Sequence, residues 1–442
     1  MAKDMTKGSL VRALVEFSIP LILSGVLQQL YSWADAFIVG NLEGGSALAA
    51  IGCTTSIVYL FTGAILGFTG GLSILAARSV GEGKIDIQKK LLSTFSVLLG
   101  VFFLVISVLG ILFLRPIMVI LDIPSDVYRM AGEYLKIILA GIPFLAVYNV
   151  YCAILRGVGD SKAPFYSVMV SSAANILLDI LFVGVFHWSV AGAAFATILS
   201  QIVMTVFIIG YMEKRYKQFH ISLQSGLIDR SVVKEGFLFS IPLTVNNIIN
   251  SLGNVILQSF MNGFGSITVA AISTAYRVDS IIMLPVTNLG AGISTITSQN
   301  LGANQKERVK KGLYVGIAIM AVIAVCMTLI VIRFGGMLLA LFGIAEESVV
   351  IGKAFFRALA MFYVLFGVIV AIRGYIQGIG DVNFTTFVGM SALAVRILMS
   401  YALRPMLGNM VIAWAEVISW WYMFALYGSR MIWYKKKSDR SL

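Results

Sequence analysis

The chain has 442 residues, of which 59% are hydrophobic and 12% are charged, and its mean hydropathy is +0.92. Soluble domains carry roughly 25% charged residues, so this composition excludes a soluble globular protein and indicates one that crosses a membrane many times. The formal net charge of +12 does not indicate a nucleic-acid partner, because the basic residues are concentrated in alternate loops between apolar segments, as a membrane topology requires.

Apolar runs long enough to cross the ~30 Å hydrocarbon core as helices recur along the whole chain. The runs are continuously apolar and do not alternate with polar residues, so they predict helices and exclude barrel strands. No cleavable signal peptide is expected before the first run. Twelve transmembrane helices are predicted, at 13–40, 47–76, 91–114, 132–155, 163–186, 189–212, 236–261, 267–298, 312–333, 350–373, 382–404 and 408–432.

Lysine and arginine are distributed unevenly between the loops. The two termini and the loops on the same side of the predicted spans contain 24 of the 33 basic residues, whereas the loops on the opposite side contain seven. By the positive-inside rule, both termini are predicted to be cytoplasmic. This orientation requires an even number of spans, which agrees with twelve. The expected location is the plasma or inner membrane of the cell.

The sequence repeats itself at an offset of 221 or 222 residues. The repeated pieces are Phe17-Ser18-Ile19-Pro20 with Phe239-Ser240-Ile241-Pro242, Gly71-x-Ser73 with Gly292-x-Ser294, and Gly159-Asp160 with Gly380-Asp381. Six spans separate the copies, so both halves have the same orientation in the membrane, as in parallel transporter repeats. The predicted fold is therefore an all-α membrane protein of two six-helix lobes, 1–212 and 236–442, joined by a cytoplasmic linker at 213–235.

Two carboxylates lie within predicted spans of the first half. Asp35 belongs to the first span, and Asp179 belongs to the fifth, where Asn175 precedes it by one helical turn on the same face. A charged residue at the centre of a span costs about 2.5–3.5 kcal/mol on insertion scales, which makes such residues candidates for a functional site. A structural hydrogen-bonded pair is the alternative interpretation. In the duplicated half, Asp35 aligns near Leu257 and Asp179 near Ser400, so the acids are not repeated.

Other polar residues within spans allow two interpretations. Gln28, Tyr31 and Asn149 are candidates for lining a substrate cavity, and hydrogen bonds between helices are the alternative. Further ionisable residues lie within spans of the second half, among them Arg277, Asp279, Arg396 and Glu416. For Arg396 and Glu416 we expect a structural ion pair within the membrane, and a second ion site is the alternative.

The sequence shows no pattern expected of an enzyme. Its two histidines lie in predicted loops, and its three cysteines are scattered through apolar runs. These residues offer neither a nucleophile with its base nor a metal cluster. We therefore expect no catalytic residues and no organic cofactor.

The motifs described above resemble the multidrug and toxic compound extrusion (MATE) family. The resemblance covers nearly the whole chain and depends on four features besides the offset of the repeat. They are the duplicated F-S-I-P, D-A-F-I-V-G at 35–40, R-G-x-G-D at 156–160 and N-x-x-x-D at 175–179. It implies a twelve-helix antiporter of two six-helix lobes.

One branch of that family has a cation site in its first lobe, and the resemblance transfers this site to the present chain. It implies that Asp35, Asn175, Asp179 and Thr197 bind a proton or a sodium ion, and that the first helix bends at Pro20. Another branch places its coupling acids on the seventh helix. The seventh span here departs from that pattern, because it offers amides and no carboxylate: Asn246, Asn247, Asn250, Asn254 and Gln258.

The resemblance implies a secondary active multidrug antiporter that exports amphipathic organic cations in exchange for H+ or Na+ by alternating access. The alternative is a flippase for lipid-linked precursors, which shares the same superfamily scaffold. A flippase cavity is expected to carry several basic residues, but Arg277 and Arg396 are the clear intramembrane cations here. The expected partners are a small molecule and membrane lipid, with no nucleic acid, and the protein is expected to be a monomer.

Overall fold

The structure is a computed structural model that describes residues 4–219 and 228–439. Within these ranges the regular elements are helices. The α-helices are α1 (Leu10–Leu42), α2 (Gly45–Gly81), α3 (Ile85–Leu112), α4 (Leu114–Ile120), α5 (Tyr128–Gly157), α6 (Lys162–Asp179), α7 (Ser189–Arg215), α8 (Arg230–Asn262), α9 (Ser266–Ile282), α10 (Leu284–Gly302), α11 (Lys306–Ala340), α12 (Glu346–Ala360), α13 (Tyr363–Gly378), α14 (Val382–Leu407) and α15 (Val411–Asp439). A π-helical turn follows α6 at Ile180–Val185.

Ten of the twelve predicted spans each correspond to one of these helices, and the eighth and the tenth each correspond to two. Among the described residues, eight helical stretches are long and apolar enough to cross a membrane, or ten if two bent helix pairs each count as one span. One of the eight, Val382–Lys436, consists of two helices, α14 and α15, that pack along each other. Counting α14 and α15 separately raises ten to eleven. Adding α8, which is 33 residues long but richer in amides, gives the predicted twelve. The all-α membrane fold is confirmed.

Two of the predicted spans are broken. The eighth consists of α9 and α10, which meet at 43°. Pro285 lies at the start of α10 and has no N–H to donate to the carbonyl of Ile281, which interrupts the helical hydrogen bonds there. The tenth span consists of α12 and α13, which meet at 52°. The hydroxyl of Thr328 donates to the Ala360 carbonyl at 2.9 Å and so satisfies a group at that break.

The chain forms two compact units. Unit 1 comprises Asp4 and the described residues from Ile19 to Thr244, and unit 2 comprises Met5–Ser18 and the described residues from Val245 onward. The change from one unit to the other therefore falls within α1 and within α8. These limits differ from the predicted lobes, 1–212 and 236–442, which remain an interpretation of the repeat.

In unit 1, α5 is the central helix and packs against α2, α3 and α7. The first half of α8 packs onto α2 at glycines that permit contact between backbones. A Cβ at Gly71 would lie 2.5 Å from the carbonyl carbon and oxygen of Phe239, and one at Gly67 would lie 2.6 Å from Thr244 Cα. Next to this contact, the rings of Phe68, Phe95 and Phe237 form a cluster with centroids 5.4–6.0 Å apart.

The residue just before α8 is tied to α3 by polar contacts. The Asp229 carboxylate accepts from the Lys90 ammonium at 2.8 Å, and its backbone N–H donates to Thr94 Oγ1 at 2.9 Å. The Lys90 ammonium, together with Ser231, holds the pKa of Asp229 well below its usual range. The start of α8 is therefore held by both an apolar and an ionic contact.

Unit 2 repeats this arrangement with the start of the chain. A Cβ at Gly292 of α10 would lie 2.8 Å from Ser18 Oγ and 3.0 Å from Leu14. The repeated motifs are thus partners: the F-S-I-P segment of one first helix packs against the G-x-S segment of the other sequence half. Ahead of α1, the buried Met5 donates its N–H to Gln299 Oε1 at 3.2 Å, and its carbonyl accepts from Asn300 at 3.1 Å.

The repeated Gly-Asp motif also has one role in both units. Asp160 accepts from the backbone N–H groups of Lys162 and Ala163 at the start of α6, and from the hydroxyls of Tyr211 and Tyr216. Its repeat, Asp381, accepts from the N–H of Phe384 at the start of α14, and from Arg430 and Tyr434 of α15. Each aspartate therefore joins the start of one helix to the end of the next.

Candidate functional site

The candidate site lies where α6 ends. Asp179 is the last residue of α6, and the widened π-helical turn of Ile180–Val185 follows it directly. Such turns occur often at functional sites. His187 and Ser189, just beyond the turn, have φ values of 55° and 50°, a left-handed conformation that costs free energy in residues with a Cβ. The backbone on this side of Asp179 is therefore irregular.

Several polar atoms of the site are buried without hydrogen-bond partners. Asp179 is 0% exposed and Asn175 is 1% exposed. Five atoms have no hydrogen-bond partner among the described groups: both carboxylate oxygens of Asp179, the amide oxygen and nitrogen of Asn175, and Oδ1 of Asp35. Burial of unpartnered polar atoms costs free energy, so this arrangement favours neutralisation by a proton or a cation.

The predicted acids lie in one electrostatic environment. The carboxylates of Asp35 and Asp179 are close enough to interact, although 144 positions separate them in the sequence. Two tyrosines share this environment: Tyr31, one turn before Asp35 on α1, and Tyr134 of α5, which interacts with both acids. Sequence reasoning missed Tyr134, because an aromatic residue in an apolar run carries no distinguishing signal.

An apolar cluster adjoins the site. It consists of Val39, Ala47, Tyr134, Ile138, Val183, Val190, Ala193 and Ala194, all buried. Val39 follows Asp35 by four residues, Val183 follows Asp179 by four, and Ala193 precedes Thr197 by four. Because residues four apart share a helical face, the cluster lies one turn from the polar residues on three separate helices.

Thr197 is placed by the packing of α6 against α7. The Ser171 hydroxyl donates to the Ser200 carbonyl at 3.0 Å, which sets the register of the two helices. Asn175 lies four residues after Ser171 on α6, and Thr197 lies three residues before Ser200 on α7. Both residues therefore lie about one helical turn from that hydrogen bond, at a similar level. The Thr197 hydroxyl donates to the Ala193 carbonyl at 2.9 Å and keeps its lone pairs for an acceptor role.

The other predicted residues have more ordinary surroundings. Asn149 is buried on α5, and its Nδ2 donates to the Leu145 carbonyl at 2.8 Å. Gln28 is exposed on α1, and Tyr31 is half-buried. Pro20 lies inside α1, which continues through it, and the Ser24 hydroxyl donates to the Pro20 carbonyl at 2.8 Å. A cavity role for the first three residues and a bend at Pro20 remain predictions.

Unit 2 contains a second polar group, and it is internally paired. Arg396 Nη2 donates to Glu416 at 2.9 Å and to the Tyr276 hydroxyl at 2.6 Å, and Tyr276 also donates to Glu416. The Tyr363 hydroxyl donates to Asp279. The expected ion pair between Arg396 and Glu416 is present. The two tyrosines were not foreseen, and they supply the hydrogen bonds that the acids of unit 1 lack.

A helical membrane protein with a parallel sequence repeat and unpartnered carboxylates inside a span has the architecture of secondary transporters. The MatE family model matches residues 20–181 and 242–402, one segment in each half of the chain. The chain therefore belongs to the MatE family, which confirms the resemblance found in the sequence.

Known relatives cover most of the chain. A probable multidrug resistance protein, YoeA of Bacillus subtilis, is 30% identical over 89% of this chain and 86% of its own length. The multidrug export protein MepA of Staphylococcus haemolyticus is 24% identical over 93% of this chain and 91% of its own length. A solved transporter of the MOP superfamily from Pyrococcus furiosus has the same fold, with a TM-score of 0.89, 23% identity and 97% coverage of both chains.

Proposed function

We propose that this protein is a secondary active antiporter that exports amphipathic organic cations in exchange for H+ or Na+ by alternating access. Relatives described as a multidrug resistance protein and a multidrug export protein support the transport of small molecules. The proposed coupling rests on the buried side chains of Asn175 and Asp179, whose polar atoms lack partners among the described groups, and on the half-buried Asp35, whose Oδ1 also lacks one. This observation supports our proposal that the chain belongs to the branch with its cation site in the first lobe. We propose that it acts as a monomer.

Neutralisation of the two acids is the proposed switch. With both carboxylates ionised, the site attracts a cationic substrate. A proton or sodium ion that enters from outside removes this attraction and changes the hydrogen bonds between α1, α6 and α7. The driving ion and the substrate then cannot be carried together, which is the condition for exchange.

The residues of the site fit a sodium ion as well as a proton. Sodium is a hard cation and prefers oxygen ligands, as other hard cations do. The site offers the carboxylates of Asp35 and Asp179, the amide oxygen of Asn175 and the hydroxyl oxygen of Thr197. The unpartnered amide oxygen can be satisfied in either case, because it can coordinate a cation or accept a hydrogen bond from a protonated carboxyl group.

The flippase alternative needs cationic residues for an anionic head group. The Pyrococcus furiosus neighbour is described as having a binding pocket of reverse polarity that suggests a different function, so polarity can differ on this fold. In the present chain the site in unit 1 is acidic, and Arg396 in unit 2 is paired with Glu416. These charges favour a cationic substrate.

Expression of the protein is expected to lower ethidium accumulation in bacterial cells that lack their main efflux pumps. Cells with empty vector are the control, and proteoliposomes with a proton or a sodium gradient imposed separately identify the coupling ion. Transport of an anionic lipid-linked substrate without ethidium efflux would replace this proposal with the flippase.

Both termini are expected to lie in the cytoplasm. In a variant with Cys53, Cys152 and Cys326 replaced by serine, an added Lys435→Cys should resist an impermeant thiol reagent applied to intact cells. Ser125→Cys, which is exposed in the loop between α4 and α5, is the control and should react. Efficient labelling at position 435 would reverse the orientation.

Pro20→Ala is expected to slow transport more than it weakens substrate binding. Proline lacks the N–H that would bond to the carbonyl of residue 16, so α1 bends more easily there than an alanine helix would. Turnover in proteoliposomes and the dissociation constant in detergent separate the two effects. A variant with unchanged turnover would show that a bend at Pro20 is not part of the transport cycle.

A further inference from the structure

The part of α8 that belongs to unit 2 has two distinct faces. Its amide side chains recur every four residues at Asn246, Asn250, Asn254 and Gln258, so they lie along one side of the helix. Apolar side chains occupy the opposite side, where Leu252 and Ile256 are 54% and 46% exposed. Segregated faces of this kind show that the two sides of a helix meet different environments.

The apolar face suits hydrocarbon and the amide face does not. Amides in lipid lose their hydrogen bonds with water at a cost in free energy. Asn254 and Gln258 are nevertheless exposed, and Asn250 is half-buried. We therefore assign this side of α8 to an aqueous passage. The equivalent positions of α1 in the repeat are also polar, with Gln28 matching Asn250 and Ser32 matching Asn254 at an offset of 222 residues.

The hydrogen bonds of these amides determine what they can bind. Asn250 Nδ2 donates to the carbonyl of Asn246 at 2.7 Å, and Gln258 Nε2 donates to Asn262 Oδ1 at 3.0 Å. Asn246 lies against α14, where a Cβ at Gly389 would be 2.4 Å from its Oδ1, and this oxygen has no partner. One N–H of each of these two amides donates within α8, and the amide oxygens of Asn250 and Gln258 remain available as acceptors.

We propose that Asn250, Asn254 and Gln258, here called the amide stripe, form a substrate-binding surface that selects N–H and O–H donors. Its ligands are protonated amines and hydroxylated compounds, in preference to cations without donors such as phosphonium ions. Neutral acceptors suit a transporter, because they bind a donor without the full attraction of a carboxylate and so allow its release. This inference rests on the transport function proposed above and adds the chemical class of its substrates.

The test compares two cations on the purified full-length protein and in proteoliposomes. Daunorubicin carries an ammonium group and hydroxyls, whereas tetraphenylphosphonium has no N–H or O–H donor. In the triple variant Asn250→Leu, Asn254→Leu, Gln258→Met, the dissociation constant for daunorubicin is expected to rise about tenfold or more, as loss of one or two hydrogen bonds predicts. Binding and efflux of tetraphenylphosphonium should stay at the wild-type level.

Ser259→Leu is the matched control, because Ser259 is an exposed polar residue on the opposite side of α8, and both cations should bind it as they bind the wild type. If the triple variant folds poorly, the single variant Asn254→Leu should still weaken daunorubicin binding, whereas Asn254→Gln, which keeps the acceptor, should not. Equal losses for both cations, or unchanged daunorubicin affinity, would overturn the proposal. A wild-type protein that binds daunorubicin but exports neither cation would instead contradict the transport function.

Discussion

Asp35→Asn and Asp179→Asn are each expected to abolish ion-coupled efflux while the protein still folds. Asparagine keeps the size of the side chain but removes the exchangeable charge on which the proposed exchange depends. In the wild-type structure both carboxylate oxygens of Asp179 and Oδ1 of Asp35 have no hydrogen-bond partners among the described groups to lose. The substitution therefore leaves no other group unpaired, and the cost of a buried charge disappears. We expect unchanged expression and a thermal midpoint in detergent equal to or above that of the wild type.

The measurement is gradient-driven efflux from proteoliposomes, with a proton or a sodium gradient imposed separately. Asn175→Ala and Thr197→Ala should weaken coupling less, and mainly when sodium is the driving ion, because they remove neutral oxygen ligands and leave both acids in place.

Glu416→Gln is the matched control for loss of an intramembrane acid. In the wild type, Glu416 accepts from both Arg396 and Tyr276, so its loss should lower stability more than coupling. Normal coupling in both aspartate variants, or loss of coupling in Glu416→Gln alone, would move the ion site to unit 2.

Gly71→Val is expected to destabilise unit 1 by about 3 kcal/mol or more, at the upper end of what overpacking costs. A Cβ at this position would lie 2.5 Å from the carbonyl carbon and oxygen of Phe239 and from Ser240 Cα. These are backbone atoms of α8, so no side chain can rotate to make room, and the helices must separate. The loss should appear as a lower thermal midpoint in detergent and as less folded protein in the membrane.

The same helix supplies the control. Gly52 of α2 has nothing within 4 Å of an added Cβ, so Gly52→Ala should keep or slightly raise stability, since alanine favours a helix over glycine by about 1 kcal/mol. If Gly71→Val and Gly52→Ala had the same thermal midpoint, the contact between α2 and α8 would contribute little to the fold.

The sequence alone determined the membrane class, the positions of the apolar spans and which acids lie within them. Hydrophobic runs report directly on the thickness of a bilayer, so the spans were placed correctly although two of them are broken. Asp35 and Asp179 stood out because carboxylates in apolar runs are costly. The repeated F-S-I-P and G-x-S motifs were visible as well, but their relation to each other was not.

The tertiary structure decided which distant residues meet, because burial and partnering depend on packing between helices that local sequence does not encode. It placed Phe239 against Gly71 and Ser18 against Gly292. It also distinguished two sets of intramembrane acids that look alike in the sequence. Glu416 has Arg396 and Tyr276 as partners, whereas Asp179 has none among the described groups. Since an unpartnered buried carboxylate is stabilised by any ion that neutralises it, that difference in packing makes unit 1 the candidate for ion binding.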